Sequence, residues 1–275
     1  VYLELTLKAL ESPPDGPQQG VGDGGSHHGI VGEGSYNREE HAAHIRSSPP
    51  ESLLTSAEFY TDRALDAGTG LPLARLVKGQ ALSLRGQHQL AAGFLQESIE
   101  ISLYLLSGQS GTIATTTASG NSNRIHAGVA AGSMEALDAV DLTSTYNRLG
   151  LALQDSGSDP NAVKEAFLAG LSLSPDDFSL LVNGGAAHQT TGDTSGAKAL
   201  YHRALSLQPN SPELLNNVGW LEEQSGGGSR FSLETAAELY ERALGLIAKE
   251  SPALKQVETN VKNVRKRLLL MDGGK

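Results

Sequence analysis

Residues 166–174 read AFLAGLSLS, and the same helix recurs twice, as LYHRALSLQ (200–208) and LYERALGL (239–246). The first two copies are each followed by a proline, and Pro175 and Pro209 lie 34 residues apart. Recurrence of one helix at a fixed period is the sequence signature of a repeat array. We therefore predict that residues 134–250 hold three helix pairs, each stacked on its neighbour.

A glycine stands at a fixed place in the helix that precedes each copy, and an aromatic residue stands inside each copy. The glycines are Gly150, Gly185 and Gly219, and the aromatic residues are Phe167, Tyr201 and Tyr240. This arrangement resembles the tetratricopeptide repeat family, whose signature is W-x2-L-G-x2-Y, then A-x3-F, then Pro. Small residues let two helices cross closely, an aromatic fills the layer between them, and proline stops the second helix. The resemblance implies an all-α fold, a right-handed superhelical stack of helix hairpins.

The end of the array is predicted to be a capping helix within residues 251–275. Beginning at Pro252, this segment carries apolar residues at helical spacing on one stripe only, namely Leu254, Val257, Val261, Val264 and Leu268. Such a helix covers the last repeat and turns its charges to water. The third copy follows the second after 39 residues, and we expect the five extra residues, within 226–234, to lengthen a loop.

The first half of the chain is less regular. Residues 1–50 are rich in Gly and Pro and are expected to form a mostly disordered arm. Residues 51–107 carry degenerate tetratricopeptide-like helices, although Arg75 and Lys78 stand where the family has large apolar groups. Residues 108–133 return to small polar residues, and we interpret them as a low-complexity linker or insertion.

Composition excludes several classes of site. The chain has no Cys and a formal net charge of -10, which disfavours thiolate metal sites, nucleic-acid binding and anionic membrane surfaces. His41 and His44, at the spacing H-x-x-H, are flanked by Gly and Pro, so we interpret them as solvated and predict no metal site. We also predict no cofactor and no catalytic residue. No apolar run approaches the ~18 residues of a membrane span.

The candidate binding residues follow from the resemblance, because the first helix of each pair lines a concave groove in this family. They are Asn147, Arg148, Asn183, Gln189, Asn216, Asn217 and Trp220. Asn183 and Asn217 lie 34 residues apart, and stacked amides can pair with the backbone of an extended peptide. The alternatives are that these Asn side chains bond only to a neighbouring turn or to water, and that Trp220 fills the core.

The sequence therefore predicts a non-enzymatic scaffold that binds a protein or peptide in its groove and is built into a larger multi-protein assembly. With no Cys and no N-glycosylation acceptor, we expect an intracellular location, cytoplasmic or organellar, although no targeting segment is visible. The alternative is a substrate-presenting region of a larger enzyme. The segments NNVG and LYxRAL are similar to sequences in the repeats attached to O-linked N-acetylglucosamine transferases.

Overall fold

The computed structural model describes residues 51–66, 71–108, 111–116, 122–127 and 140–272. The predicted arm of residues 1–50 lies outside the described residues. Within the described chain, two compact units meet in sequence between Ser174 and Pro175. Apart from one two-stranded hairpin, the regular elements of both described units are α-helices, which confirms the all-α fold.

Unit 1 is built from helices that pack in chain order. They are α1 (Glu51–Asp66), α2 (Pro72–Leu84), α3 (His88–Leu106), α4 (Leu142–Asp155) and α5 (Pro160–Leu173). The pairs α2–α3 and α4–α5 form antiparallel hairpins, and α3 also packs on α4. The buried cluster runs through all these layers, from Leu54 on α1 to Ala166 on α5.

A β-hairpin occupies part of the predicted low-complexity insertion. β1 (Gly111–Thr116) pairs antiparallel with β2 (Ser122–Ala127), so that Thr112 lies opposite His126 and Ile113 opposite Ile125. These strands are not among the elements expected from the sequence, although Thr and Ile favour extended backbone. Because α3 and α4 still pack on each other, the hairpin interrupts the sequence without separating the helices that flank it.

Unit 2 contains the remaining described helices. They are α6 (Phe178–Thr190), α7 (Thr194–Leu207), α8 (Pro212–Ser225), α9 (Arg230–Leu246) and α10 (Leu254–Asp272). The hairpins are α6–α7 and α8–α9, and α10 packs on α9. The predicted apolar stripe of α10 is confirmed, since Val257, Val261 and Val264 are buried, although the helix begins at Leu254 rather than Pro252.

Each helix from α4 to α9 begins after an Asp or Ser whose side chain accepts a hydrogen bond from a backbone N–H of the first turn. These residues are Asp141, Asp159, Asp177, Asp193, Ser211 and Ser229. Such caps satisfy amides that have no partner inside the helix. At Asp193, hydrogen bonds from the backbone of Gly196 and from Ser195 and His188 lower the pKa of the carboxyl to about 2.

The predicted close crossing in each hairpin is present, and it depends on glycine. A methyl group on Gly185 would lie 2.5 Å from the ring of Tyr201, and one on Gly150 would lie 2.4 Å from Phe167. A methyl group on Gly219 would lie 2.9 Å from the ring of Tyr240. The three rings are completely buried, so each fills the layer between its two helices.

An arginine two positions after Tyr201 and Tyr240 adds a second contact within each hairpin of unit 2. Arg203 Nη2 donates to the carbonyl of Pro175 at 2.6 Å, and Arg242 Nη2 donates to that of Pro209 at 3.3 Å. In α5 the corresponding residue is Ala169, which has no such donor. The arginines therefore tie the end of the second helix to the loop that leads into the first.

The five extra residues of the third copy lie mostly in a helix, so the prediction of a longer loop is wrong. α9 has 17 residues where α5 and α7 have 14, and residues 230–234 form its first turn. This turn is stabilised by the cap at Ser229 and by an ion pair of 2.7 Å between Arg230 and Glu234. Gly227 and Gly228, with positive φ, form the short connection that remains.

The polar residues that made the α2–α3 pair irregular have partners that lie far along the chain. Buried Arg75 donates to Glu97 of α3 at 3.0 Å, and Lys78 pairs with Asp62 of α1 at 2.9 Å. Burial lowers the pKa of Arg75, while Glu97 opposes that shift. A methyl group added at Gly79 would lie 2.8 Å from the side chain of Leu95. The helices α2 and α3 therefore cross as closely as those of the later hairpins.

We predict that Gly185→Ala destabilises the protein by ~1–3 kcal/mol, because the new methyl group overlaps the Tyr201 ring in a closely packed layer. Urea denaturation measures the free energy of unfolding. The matched control is Gly245→Ala on the exposed side of α9, where an added methyl group would have no described atom within 4 Å. That change is expected to stabilise by ~0.5–1 kcal/mol through helix propensity. Equal stability of the Gly185 variant and the parent would contradict the crossing.

Candidate functional site

The predicted groove residues fall on the first helices of the hairpins, but they are divided between the two units. Asn147 and Arg148 lie on α4 of unit 1. Unit 2 carries the others, on two helices: Asn183, Gln189, Asn216, Asn217 and Trp220. The richer set therefore belongs to the surface formed by α6 and α8, which we call the α6–α8 face.

In unit 1 the guanidinium of Arg148 is bound internally. With its side-chain oxygen turned toward α4, buried Gln80 of α2 accepts hydrogen bonds from Arg148 Nη1 at 2.7 Å and Nε at 2.9 Å. Asn147 is half-buried beside it. Arg148 thus joins two first helices of unit 1, and a ligand would have to compete with Gln80 for its donors.

Asn183 and Asn217, which were expected to lie one above the other on a single surface, have different environments. Asn183 is buried, with only 3% of its surface exposed, so it lies inside the layer rather than on an open groove. Asn217 is half-buried, and its Nδ2 is inaccessible and has no hydrogen-bond partner among the described residues. A buried donor without an acceptor costs ~1–3 kcal/mol, which makes Asn217 the amide with capacity for a ligand.

Trp220 packs partly into the core and keeps part of its surface accessible. Its side chain is half-buried and packs against the cluster between α9 and α10, which includes Tyr240, Val261 and Val264. Trp220 therefore contributes to the packing between α8, α9 and α10, as the core alternative predicts. Replacing Asn183, Asn217 and Trp220 together would lower stability as well as remove surface groups.

Two further residues of α8 are held by α10. Asn260 Nδ2 donates to Asn216 Oδ1 at 2.8 Å, and Arg267 forms an ion pair with Glu223. Both pairs are separated by 44 residues, so α10 runs parallel to α8. The capping helix thus takes the place that a further first helix would have, and Asn216 is occupied by it.

Tyrosine hydroxyls of the second helices reach the same face. Tyr240 donates to Glu223 Oε2 at 3.1 Å, and burial, reinforced by the Glu223 charge, raises its pKa. Tyr201 donates a weak hydrogen bond to Gln189 Oε1 at 3.4 Å, and burial raises the pKa of Tyr201 too. Gln189 and Glu223 are therefore positioned by hydrogen bonds from tyrosines whose packing between helices was the only role expected from the sequence.

Two of the three carboxylates of α8 are paired with cations, and Glu213, in its first turn, forms no ion pair with a described residue. Glu222 pairs with Lys198 of α7 at 2.8 Å, and Glu223 pairs with Arg267. Neither α6 nor α8 contains Lys or Arg, and His188 of α6 lies 2.9 Å from Asp193. The described residues contain no cluster of three potential metal-ligating side chains, and none of their helices could span a membrane.

No protein-family model matches the chain, and no curated protein matches it. Among solved structures, the chain is similar to the Yersinia enterocolitica type III secretion chaperone SycD, crystallised with a peptide of the translocator YopD. The similarity has a TM-score of 0.41 and 21% sequence identity, and it covers 48% of this chain and 96% of that one. The hairpins themselves, with their glycine and aromatic contacts, fit a tetratricopeptide-like repeat fold.

Trp220 is the single tryptophan of the chain and contacts the cluster that α10 closes, so its fluorescence reports the capping helix. We predict that deleting residues 251–275 shifts its emission to longer wavelength, lowers the melting temperature and increases light scattering, because the apolar side of α9 becomes exposed. Lys266→Ser, on the exposed side of α10, is the control and should change none of these. A truncated chain with unaltered emission and melting temperature would show that α10 is only an appendage.

Proposed function

We propose that the protein is a non-enzymatic scaffold that binds an extended segment of a partner protein along the α6–α8 face of unit 2. The observation that carries this proposal is Asn217 Nδ2, which has no hydrogen-bond partner in the described part of the chain and lies one helical turn from half-exposed Trp220 on the same helix. A polypeptide in extended conformation offers a carbonyl oxygen to Asn217 once rotation of this side chain brings Nδ2, which is inaccessible in the free chain, to the surface. It also offers a side chain that can pack on the accessible part of Trp220.

The charges of the face support an internal peptide segment rather than a chain terminus. A terminal carboxylate is normally held by Lys or Arg, and neither residue occurs on α6 or α8. Glu222 and Glu223 are neutralised by Lys198 and Arg267, so the face does not favour a strongly basic ligand either. A neutral, extended segment fits these contacts best.

The same pairings support a binding role without catalysis. General acid–base chemistry needs a titratable group within reach of the reacting atoms. On this face Glu222 and Glu223 are paired with cations, and His188 is paired with the cap residue Asp193. The ionisable groups therefore stabilise the hairpins and the capping helix, and we expect the partner to bring the chain into a larger assembly.

Selection from a random-peptide display library, followed by titration of the selected peptides, tests the proposal. We expect Asn217→Leu to weaken binding about fivefold, since a lost hydrogen bond costs ~1 kcal/mol. The same change should leave thermal stability equal or higher, because it removes a buried donor that has no partner. Opposite effects on binding and stability separate a ligand contact from a folding defect.

The matched control is Asn263→Leu on the exposed surface of α10, which should alter neither binding nor stability. Affinity of the Asn217 variant within a factor of two of the parent would refute the assignment of this face. A library that yields no binder to the folded chain would refute peptide binding as its function.

A further inference from the structure

The surface formed jointly by α9 and α10, on the side away from α8, has an apolar end. Phe231, in the first turn of α9, is 79% exposed, and Leu269, in the last turns of α10, is 70% exposed. Leu270, 69% exposed, extends the apolar end on α10. Large apolar side chains grouped in this way on a soluble surface mark a site of association.

Two ion pairs fix how the helices of this surface are aligned. Arg230 Nη1 lies 2.5 Å from Asp272, and Arg265 Nη2 lies 2.7 Å from Glu241. From one ion pair to the next, the residue number rises along α9 and falls along α10, so the two helices are antiparallel. The first turn of α9 is therefore beside the last turn of α10, and Phe231 and Leu269 belong to the same end.

The charges further along this surface are opposite on the two helices. Glu238 follows Phe231 by seven residues on α9, and Lys262 precedes Leu269 by seven residues on α10. Seven residues are close to two helical turns, so each charge lies on the same stripe as its apolar residue. Both charged side chains are exposed, and neither forms an ion pair with another described residue, whereas Glu241 and Arg265 neutralise each other.

This pattern is complementary to itself. A two-fold axis that runs parallel to the helices, in front of the surface and equally far from α9 and α10, would place α9 of one copy against α10 of the other. The rotation does not change the height of any residue along the helix axes, so Phe231 of one copy meets Leu269 of its partner. Two turns along, Glu238 of one copy meets Lys262 of its partner, and symmetry repeats both contacts.

We propose that the chain forms a symmetric dimer through the α9–α10 surface, with an apolar contact at one end and a reciprocal ion pair at the other. A second copy is favoured over an anionic membrane, because Phe231 and Leu269 form only a small apolar contact at one end of the surface and the chain carries a net charge of -10. The α6–α8 face takes no part in this contact, so peptide binding and dimerisation are independent.

Multi-angle light scattering of the full chain across a dilution series, at physiological salt, measures the association. We expect a mass approaching twice the 28.8 kDa of one chain at high concentration. The double change Phe231→Ser and Leu269→Ser should give a monomer without loss of melting temperature, since both side chains are already exposed. Leu207→Ser, at an exposed leucine of α7, is the matched control and should leave the dimer intact.

Charge reversal tests the pairing itself. Glu238→Lys and Lys262→Glu should each raise the dissociation constant about tenfold, because like charges then meet twice across the axis. A mixture of the two variants should associate again, since each then offers the charge that the other requires. Wild-type protein that stays monomeric throughout the series would overturn the proposal, as would a mixture that associates no better than its components.

Discussion

The contact between a glycine on one helix and a large buried side chain on the next is the constraint on which this structure depends. It occurs in four hairpins of the described chain, with Phe167, Tyr201 and Tyr240 in three and Leu95 in the other. A methyl group at any of the four glycines would come within 2.4 to 2.9 Å of its partner. The two helix backbones therefore approach until the side chain of the second fills the groove of the first.

Closing the hairpins in this way determines which surfaces remain for binding. Since the glycine side of α8 turns toward Tyr240, the neighbouring positions Asn217 and Trp220 point elsewhere, toward α10 and the α6–α8 face. α10 then docks parallel to α8 through Asn216 and Glu223. The capping helix covers the apolar layer of the last hairpin, yet none of the residues that the structure describes accepts a hydrogen bond from the amide nitrogen of Asn217.

The hairpins could be predicted from the sequence because one helix recurs with its glycine and aromatic partners at a fixed spacing. That period identifies equivalent positions, but it does not give their burial, so Asn183 was expected on a surface and lies inside the layer. Arg75 looked incompatible with a repeat because Glu97, the partner that neutralises it, stands 22 residues away on another helix. The longer α9 was missed because Gly-rich sequence suggests a loop, while the cap and ion pair that extend the helix act over a single turn.

Amide hydrogen exchange of the full chain, followed by mass spectrometry with and without a library-selected peptide, tests the central claim most directly. The account predicts slower exchange in residues 178–190 and 212–225 when the peptide is bound, because the peptide contacts α6 and α8 and steadies both helices. The exchange of α2 and α3 should not change. Slower exchange confined to α2 and α3, with α6 and α8 unaffected, would contradict the claim that this face binds the partner.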